Sequence, residues 1–189
     1  MSQPIKVIIC GMANVGKTAI INRYIYDTFN TCHRSTIGAT YFNKQLLHDG
    51  KTITVNIWDT MSAERYNSLQ PLFFKNATIA LVVYDVSHIG SFNYALQMIE
   101  QLRDQLPDVI ITLVGNKIDL DKQISTENLK HTANEKNVHY EESSAYQNIG
   151  IVELFEYVDK QVILAYRKQK PLSKSIIRLD DGTNRDCCF

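Results

Sequence analysis

Hydrophobic residues in this chain alternate between short continuous runs and longer stretches with helical spacing. The runs at 5–10, 79–84 and 109–114 are almost entirely apolar, which is typical of parallel strands buried on both faces of a sheet. The stretch 19–29 instead repeats apolar residues every three or four positions, which predicts a helix. This alternation of strand and helix patterns indicates an α/β protein.

Polar breaks between the apolar segments predict a hairpin and further helices. The strands at 41–47 and 52–58 are joined across Asp49-Gly50, a strong hairpin signal that makes them antiparallel neighbours. Ser91 and Ser125 are the expected N-caps of two helices, because a serine hydroxyl can accept a bond from the first turn. These helices, with a third one that ends before Pro171, span 91–106, 125–136 and 149–170.

The predicted fold class follows from counting these elements. Six strands and about five helices form a doubly wound, mostly parallel sheet with one antiparallel strand and helices on both faces. The predicted globular domain covers 1–170. From 171 to 189 the sequence becomes polar, and this segment is predicted to be a flexible tail.

Composition favours a cytosolic domain without affinity for nucleic acid. The chain has 189 residues, of which 44% are hydrophobic, enough for one core. Lys plus Arg and Asp plus Glu both number 20, so the charge balance does not point to nucleic acid or to anionic lipid. The sequence shows no membrane-spanning run and no signal peptide at its start. The four cysteines are expected to be thiols, with Cys10 buried in the first strand and no zinc site.

The segment at 11–18, GMANVGKT, fits the pattern G-x-x-x-x-G-K-[ST] directly after the first strand. Such a loop turns backbone N–H groups toward an anion at the start of a helix. Its expected ligand is a nucleoside polyphosphate, with Lys17 on the β- and γ-phosphates and the Thr18 hydroxyl on Mg²⁺. The alternative, a plain glycine turn, requires a rare chance match.

A second motif decides which base is bound. Asn116-Lys117-Ile118-Asp119 follows the strand at 109–114, at the end of the sheet where α/β proteins bind their ligands. The Asp119 carboxylate can accept bonds from an N1–H and an exocyclic amine, which guanine presents together and adenine does not. Alone, this pattern is equally compatible with a polar turn; after a phosphate loop in the right order, it favours guanine.

With these two motifs the chain resembles the Ras superfamily of small GTPases, and more closely the Rab family, over 5–168 and at its last three residues. The resemblance implies a P-loop small G-protein fold that binds GTP or GDP with Mg²⁺. It identifies 142–145 as a second guanine loop, with Tyr146 in place of the usual lysine. That change is expected to affect packing over the base more than specificity. It also places Thr36 and Asp59, with Thr18, around Mg²⁺. The nucleotide-binding residues are then Gly11, Ala13, Asn14, Val15, Gly16, Lys17, Thr18, Ala19, Thr36, Ser62, Asn116, Lys117, Asp119, Ser144 and Ala145.

The chain departs from this family just after Asp59. The family pattern D-T-A-G-Q-E becomes Asp59-Thr60-Met61-Ser62-Ala63-Glu64. Ala63 occupies the position of the glutamine that orients the attacking water, and a methyl group cannot replace an amide. Neither Glu64 nor Arg65 is a convincing substitute, so no catalytic residue is assigned. The chain is expected to be a small monomeric GTPase with slow intrinsic hydrolysis, or alternatively a hydrolysis-deficient scaffold that stays bound to GTP.

The resemblance also implies partners and a membrane anchor. Its effector-binding residues are Ile37, Gly38, Tyr41, Trp58 and Phe73. The ending Cys187-Cys188-Phe189 resembles a signal for double geranylgeranylation, although two unmodified thiols are the alternative. Implied partners are an exchange factor, an activating protein able to supply catalytic groups, effectors, a prenylation escort and a GDP-dissociation inhibitor. Similarity to the early-endosomal branch implies vesicle traffic on the cytoplasmic face of endosomal membranes, with a cytosolic pool.

Overall fold

A computed structural model describes residues 3–30, 40–60 and 70–169. Its six strands form one sheet in the order β2-β3-β1-β4-β5-β6, and among the described strands only β2 and β3 pair in antiparallel fashion. This arrangement confirms the predicted fold class. The elements are β1 Ile5–Gly11, α1 Lys17–Tyr26, β2 Thr40–His48, β3 Lys51–Asp59, α2 Gln70–Phe74, β4 Ile79–Asp85, α3 Ile89–Gln105, β5 Ile110–Asn116, α4 Thr126–Glu135, β6 His139–Ser143 and α5 Ile151–Gln169.

The hairpin between β2 and β3 turns where the sequence predicts. Asp49 and Gly50 both have positive φ angles, 49° and 68°, as a two-residue hairpin of the I′ type requires. His48 pairs with Lys51 on either side of the turn. The Asp-Gly pair therefore determines the register of the antiparallel edge of the sheet.

Two apolar clusters lie on opposite faces of the sheet. Val7 and Ile9 of β1 belong to the cluster beneath α1 and α5, whereas Ile8 and Cys10 belong to the cluster beneath α3. The continuous apolar runs are explained by this burial on both faces. Burial raises the pKa of the Cys10 thiol to about 12, with a smaller opposing effect of Lys17, so Cys10 is a buried thiol, as expected.

Three helices have boundaries that differ from the prediction. α1 spans Lys17–Tyr26 and not 19–29, since Gly16 is its N-cap and Asp27, with a φ of 51°, is its C-cap. α3 begins at Ile89 because His88 is its N-cap: the imidazole Nδ1 accepts a hydrogen bond from the Ser91 N–H over 2.9 Å. Ser91 lies inside the first turn, so its prediction as N-cap was wrong. α5 begins at Ile151, because Ile149 forms a bridge with Ser144 instead. The prediction for α4 is confirmed, since Ser125 accepts a bond from the Asn128 N–H over 3.3 Å.

None of the helices within the described ranges is long and apolar enough to cross a membrane.

Candidate functional site

The segment between β1 and α1 is a loop with unusual backbone angles. Asn14 and Gly16 have φ values of 63° and 97°, in the region that favours glycine. A Cβ atom on Gly16 would lie 2.2 Å from the Asn116 Nδ2 atom, so only glycine fits there. Gly16 is also the N-cap of α1 and has no side chain to cap it. The positive end of the helix dipole therefore faces this loop, which suits an anion.

Lys17 is fixed over the same loop. Its side chain is buried, and its Nζ atom donates hydrogen bonds to the Gly11 carbonyl over 2.9 Å and to the Met12 carbonyl over 2.8 Å. These contacts hold a positive charge over the loop. An ammonium held in this way is well placed to attract a phosphate group.

Thr18 and Asp59 place two side-chain oxygen groups side by side at the end of β3. The Thr18 hydroxyl donates to Asp59 Oδ2 over 2.6 Å. Asp59 is fully buried, and its Oδ1 atom has no hydrogen-bond partner among the described residues. Burial raises the pKa of this carboxyl, against smaller opposing effects of Thr18 and Lys17. A buried carboxylate with an unsatisfied oxygen, next to a hydroxyl, fits a hard cation such as Mg²⁺.

Asn116 connects three segments of the site. Its Nδ2 atom donates to the Val15 carbonyl over 2.8 Å, while its Oδ1 atom accepts from the Ala145 N–H over 3.2 Å and from the Ser143 hydroxyl over 3.3 Å. The side chain is buried, and its amide group bridges the three segments. It locks the phosphate loop and the loop after β6 onto the end of β5.

Lys117 and Asp119 are held by different partners. The Lys117 ammonium lies 2.6 Å from Asp85 Oδ2. Burial opposes ionisation of Asp85, but hydrogen bonds from Lys117 and Ser87 outweigh it and lower the pKa of this carboxyl. Asp119 Oδ1 accepts a short 2.5 Å bond from the Ser144 hydroxyl. The two oxygens of the Asp119 carboxylate are thereby oriented by the loop after β6.

The predicted nucleotide residues within the described ranges lie on segments that these contacts join at the carboxyl ends of β1, β3 and β5. They are Gly11, Ala13, Asn14, Val15, Gly16, Lys17, Thr18, Ala19, Asn116, Lys117, Asp119, Ser144 and Ala145. This is the edge at which open α/β sheets bind their ligands.

The sequence of this chain is similar to those of known proteins. A sequence model described as the Ras family matches residues 6–164. The chain belongs to the Ras family of small GTPases. It is also 35% identical over 167 residues to the GTP-binding protein YPT53 of Saccharomyces cerevisiae, an alignment covering 84% of this chain and 76% of the yeast protein. Together these matches identify a small GTPase of the Rab type.

One residue of this GTPase that sequence reasoning missed is Arg23 on α1. Its Nε atom donates to the Ala145 carbonyl over 3.0 Å, and its Nη2 atom donates to the Tyr146 carbonyl over 3.2 Å. The Tyr146 ring is largely exposed and meets the Phe29 ring edge-on at 5.4 Å. Arg23 also pairs with Asp27 one turn along α1, but no local pattern could have revealed its contacts with Ala145 and Tyr146, which lie more than 120 residues away in the sequence.

Two of the three described effector candidates are in direct contact. The Tyr41 and Trp58 rings meet edge-on at 5.4 Å, on directly paired residues of β2 and β3. Phe73 is partly buried against the same apolar cluster as Trp58. Lys6 lies over the Trp58 ring at 4.7 Å and donates to the Lys75 carbonyl over 2.9 Å. Sequence reasoning did not identify Lys6, which holds the indole in place.

The remaining predicted residues of this Rab-type GTPase lie outside the described ranges. They are Thr36 of the metal site, Ser62 and Ala63 of the altered segment, Ile37 and Gly38 of the effector surface, and Cys187 and Cys188 of the tail.

Proposed function

We propose that this Rab-type GTPase binds GTP and GDP with Mg²⁺ and acts as a switch in vesicle traffic, recruiting effectors in its GTP-bound form. The observation that carries the proposal is the bridge made by Asn116, which joins the phosphate loop at Val15 to the second base loop at Ala145. A nucleotide, which has a phosphate end and a base end, can contact both loops at once. The yeast relative is named a GTP-binding protein, which supports the same ligand.

The roles proposed for the described residues follow from their chemistry. The loop at 11–18 and Lys17 hold the phosphates, and the Asp119 carboxylate accepts from the guanine N1–H and amine. The Ala145 N–H would donate a hydrogen bond to the base carbonyl. In the structure the same N–H donates to Asn116 Oδ1 over 3.2 Å. Thr18, Thr36 and Asp59 would hold Mg²⁺, which would supply positive charge to neutralise the phosphates.

We further propose that intrinsic GTP hydrolysis is slow. Ala63 lacks the amide that orients the attacking water, and Ser62 lacks the backbone freedom of the glycine it replaces. An activating protein can supply an arginine, worth about 10³ to 10⁵ in rate. Regulation would then depend on this partner and on an exchange factor more than on the chain itself.

The same substitution favours a second candidate function. A chain without the water-orienting amide could remain bound to GTP and serve as a constitutive scaffold for effectors. Both functions share the fold, the nucleotide and the effector surface of Tyr41, Trp58 and Phe73. They differ in whether an activating protein restores turnover.

The proposed cellular setting rests on sequence alone. Cys187 and Cys188 would carry two geranylgeranyl groups, which give stable anchoring where one chain gives only reversible binding. A prenylation escort and a GDP-dissociation inhibitor would handle the lipidated chain, and early endosomes are the proposed membrane. Mass spectrometry of the protein from its native cells should show two prenyl groups; two unmodified thiols would contradict the anchor.

Single-turnover hydrolysis of bound GTP tests the proposed function. The full chain, loaded with GTP and Mg²⁺, is compared with a variant carrying Ser62→Gly and Ala63→Gln. The wild type should hydrolyse GTP much more slowly than this variant, since the variant regains the water-orienting amide. Equal rates in the two proteins would contradict slow hydrolysis, and failure of the wild type to retain guanine nucleotide would contradict the switch itself.

A further inference from the structure

A chain of hydrogen bonds crosses three strands beneath α3 and α4. The Tyr84 hydroxyl on β4 lies 3.1 Å from the Tyr140 hydroxyl on β6, and the Tyr140 hydroxyl donates to Glu142 Oε1 over 2.8 Å. Each hydroxyl has one proton to donate. Since Tyr140 uses its proton on Glu142, Tyr84 must donate to Tyr140, so the chain runs in one direction toward the carboxylate.

β5 lies between the two tyrosines, and a glycine lets them meet across it. Gly115 pairs with Tyr84 on one side and with Glu142 on the other. A Cβ atom on Gly115 would lie 2.7 Å from the Tyr84 hydroxyl oxygen and 3.1 Å from that of Tyr140. Even alanine at this position would force the two hydroxyl groups apart.

Glu142 continues the chain toward the surface. Its Oε2 atom lies 2.7 Å from Lys122 Nζ, and its Oε1 atom accepts a hydrogen bond from the Thr126 hydroxyl over 3.1 Å. Burial opposes ionisation of Glu142, but the bonds from Lys122 and Tyr140 outweigh it and lower the pKa of this carboxyl. The carboxylate therefore ties the segment after Asp119 and the start of α4 to β6.

We propose that Tyr140 is a positioning residue for the base-binding end of the site. The residues that follow Glu142 are Ser143, which donates to Asn116, and Ser144, which donates to Asp119. Lys122 comes three residues after Asp119, so Glu142 restrains the Asp119 loop from the far side. Tyr140 keeps Glu142 in place. The loop that carries Asp119 and the loop after β6 are therefore held together as one unit.

This inference rests on the proposed binding of guanine nucleotides and adds a prediction about how the base is discriminated. Asp119 accepts from two donors of guanine, whereas inosine lacks the exocyclic amine. If Asp119 is held less firmly, the affinity for guanine should fall more than the affinity for hypoxanthine, the base of inosine, because only guanine uses both bonds. A merely structural role of Tyr140 would lower the melting temperature without changing the preference of GDP over IDP.

The test compares full-length wild type and Tyr140→Phe, each loaded with GDP or with IDP and Mg²⁺. We expect GDP to dissociate about fivefold faster from the variant, the factor that corresponds to one net hydrogen bond, with a smaller change for IDP. Tyr157→Phe is the matched control. It removes a hydroxyl from a ring that stacks on His139, the first residue of β6, and it should leave the ratio of the two rates unchanged.

Lys122→Met is a second variant that does not depend on a buried substitution. It removes the ion pair with Glu142 at the protein surface and should shift the ratio in the same direction. An unchanged ratio in Lys122→Met, together with an unchanged ratio in any folded Tyr140→Phe, would overturn the inference. A wild type that shows no preference for GDP over IDP would overturn the proposed function as well, so the two failures are distinguishable.

Discussion

The Thr18 hydroxyl donates a 2.6 Å hydrogen bond to Asp59 Oδ2, joining the first turn of α1 to the last residue of β3. The second oxygen of the same carboxylate is buried and has no hydrogen-bond partner among the described residues. A buried carboxylate oxygen without a partner is unfavourable for folding. The pair therefore stabilises the protein most when a cation is present to share these oxygens.

Replacing Asp59 by asparagine should weaken Mg²⁺ binding. The substitution keeps an acceptor for Thr18 but removes the negative charge, and loss of a metal's supporting group typically costs about 10- to 100-fold in affinity. The measurement is GDP release at a series of Mg²⁺ concentrations. The exposed Asp108→Asn is the control and should follow the wild type; an identical Mg²⁺ dependence in Asp59→Asn would argue against this metal site.

Replacing Asn116 by alanine should cost both stability and nucleotide affinity. The side chain satisfies the Val15 carbonyl and the Ala145 N–H within the protein, and leaving such groups unpaired costs on the order of 1–3 kcal/mol each. We expect the free energy of unfolding in urea to fall by about 3 kcal/mol. Asn128→Ala, at an exposed position of α4, should remain within about 0.5 kcal/mol of the wild type.

Replacing Arg23 by methionine should accelerate GDP release. The guanidinium holds the carbonyls of Ala145 and Tyr146, and hydrogen bonds from charged groups contribute about 1.5–3 kcal/mol each. We expect release to become about tenfold faster, since part of this energy is lost from the bound state. Stopped-flow fluorescence with a labelled GDP measures the rate.

Arg103→Met supplies the matched control for this experiment. Arg103 also donates to two consecutive carbonyls, those of Lys136 and Asn137, at the loop between α4 and β6. It should lower stability without altering GDP release. If both arginine variants accelerate release equally, the effect of Arg23 would be general loosening and not support of the base loop.

Replacing Glu142 by glutamine should destabilise the protein at neutral pH and lose this effect in acid. The folded pKa of Glu142 lies below its ordinary value of 4.5, because the hydrogen bonds from Lys122 and Tyr140 outweigh the effect of burial. A depressed folded pKa stabilises the folded state above the unfolded pKa, and this contribution disappears as the pH falls through the folded pKa. Urea unfolding at pH 7 and at successively lower pH should show the two proteins converging; a constant difference would contradict the ion pair.

Local signals account for the parts of the fold that the sequence predicted. Asp49-Gly50 forms the expected turn because its φ angles are a property of those two residues. Ser125 caps α4 because its partner, the Asn128 N–H, is three residues away. The apolar run of β4 is buried on both faces, as its lack of alternation indicates. The candidate site was found in the same way, since both of its motifs are contiguous and follow strands.

One local contact without a common sequence signal, and several contacts between distant segments, account for what the sequence did not predict. His88 replaces Ser91 as the cap of α3 because its ring nitrogen reaches the Ser91 N–H, and histidine is a weak capping signal. Arg23 donates to the Ala145 carbonyl, and Lys6 lies over the Trp58 ring. Neither contact has a sequence pattern that would predict it.

The sequence by itself determined the fold class, the phosphate and base motifs, and the presence of Ala63 where the family has glutamine. Each of these depends on residue type and short-range spacing. Only the tertiary structure decided that Asn116 bridges two loops and that the Tyr84 and Tyr140 hydroxyl groups meet across Gly115. The physical reason is that hydrogen bonds require distances near 3 Å. Such distances between residues far apart in the chain exist only after the sheet has set its strand order and register.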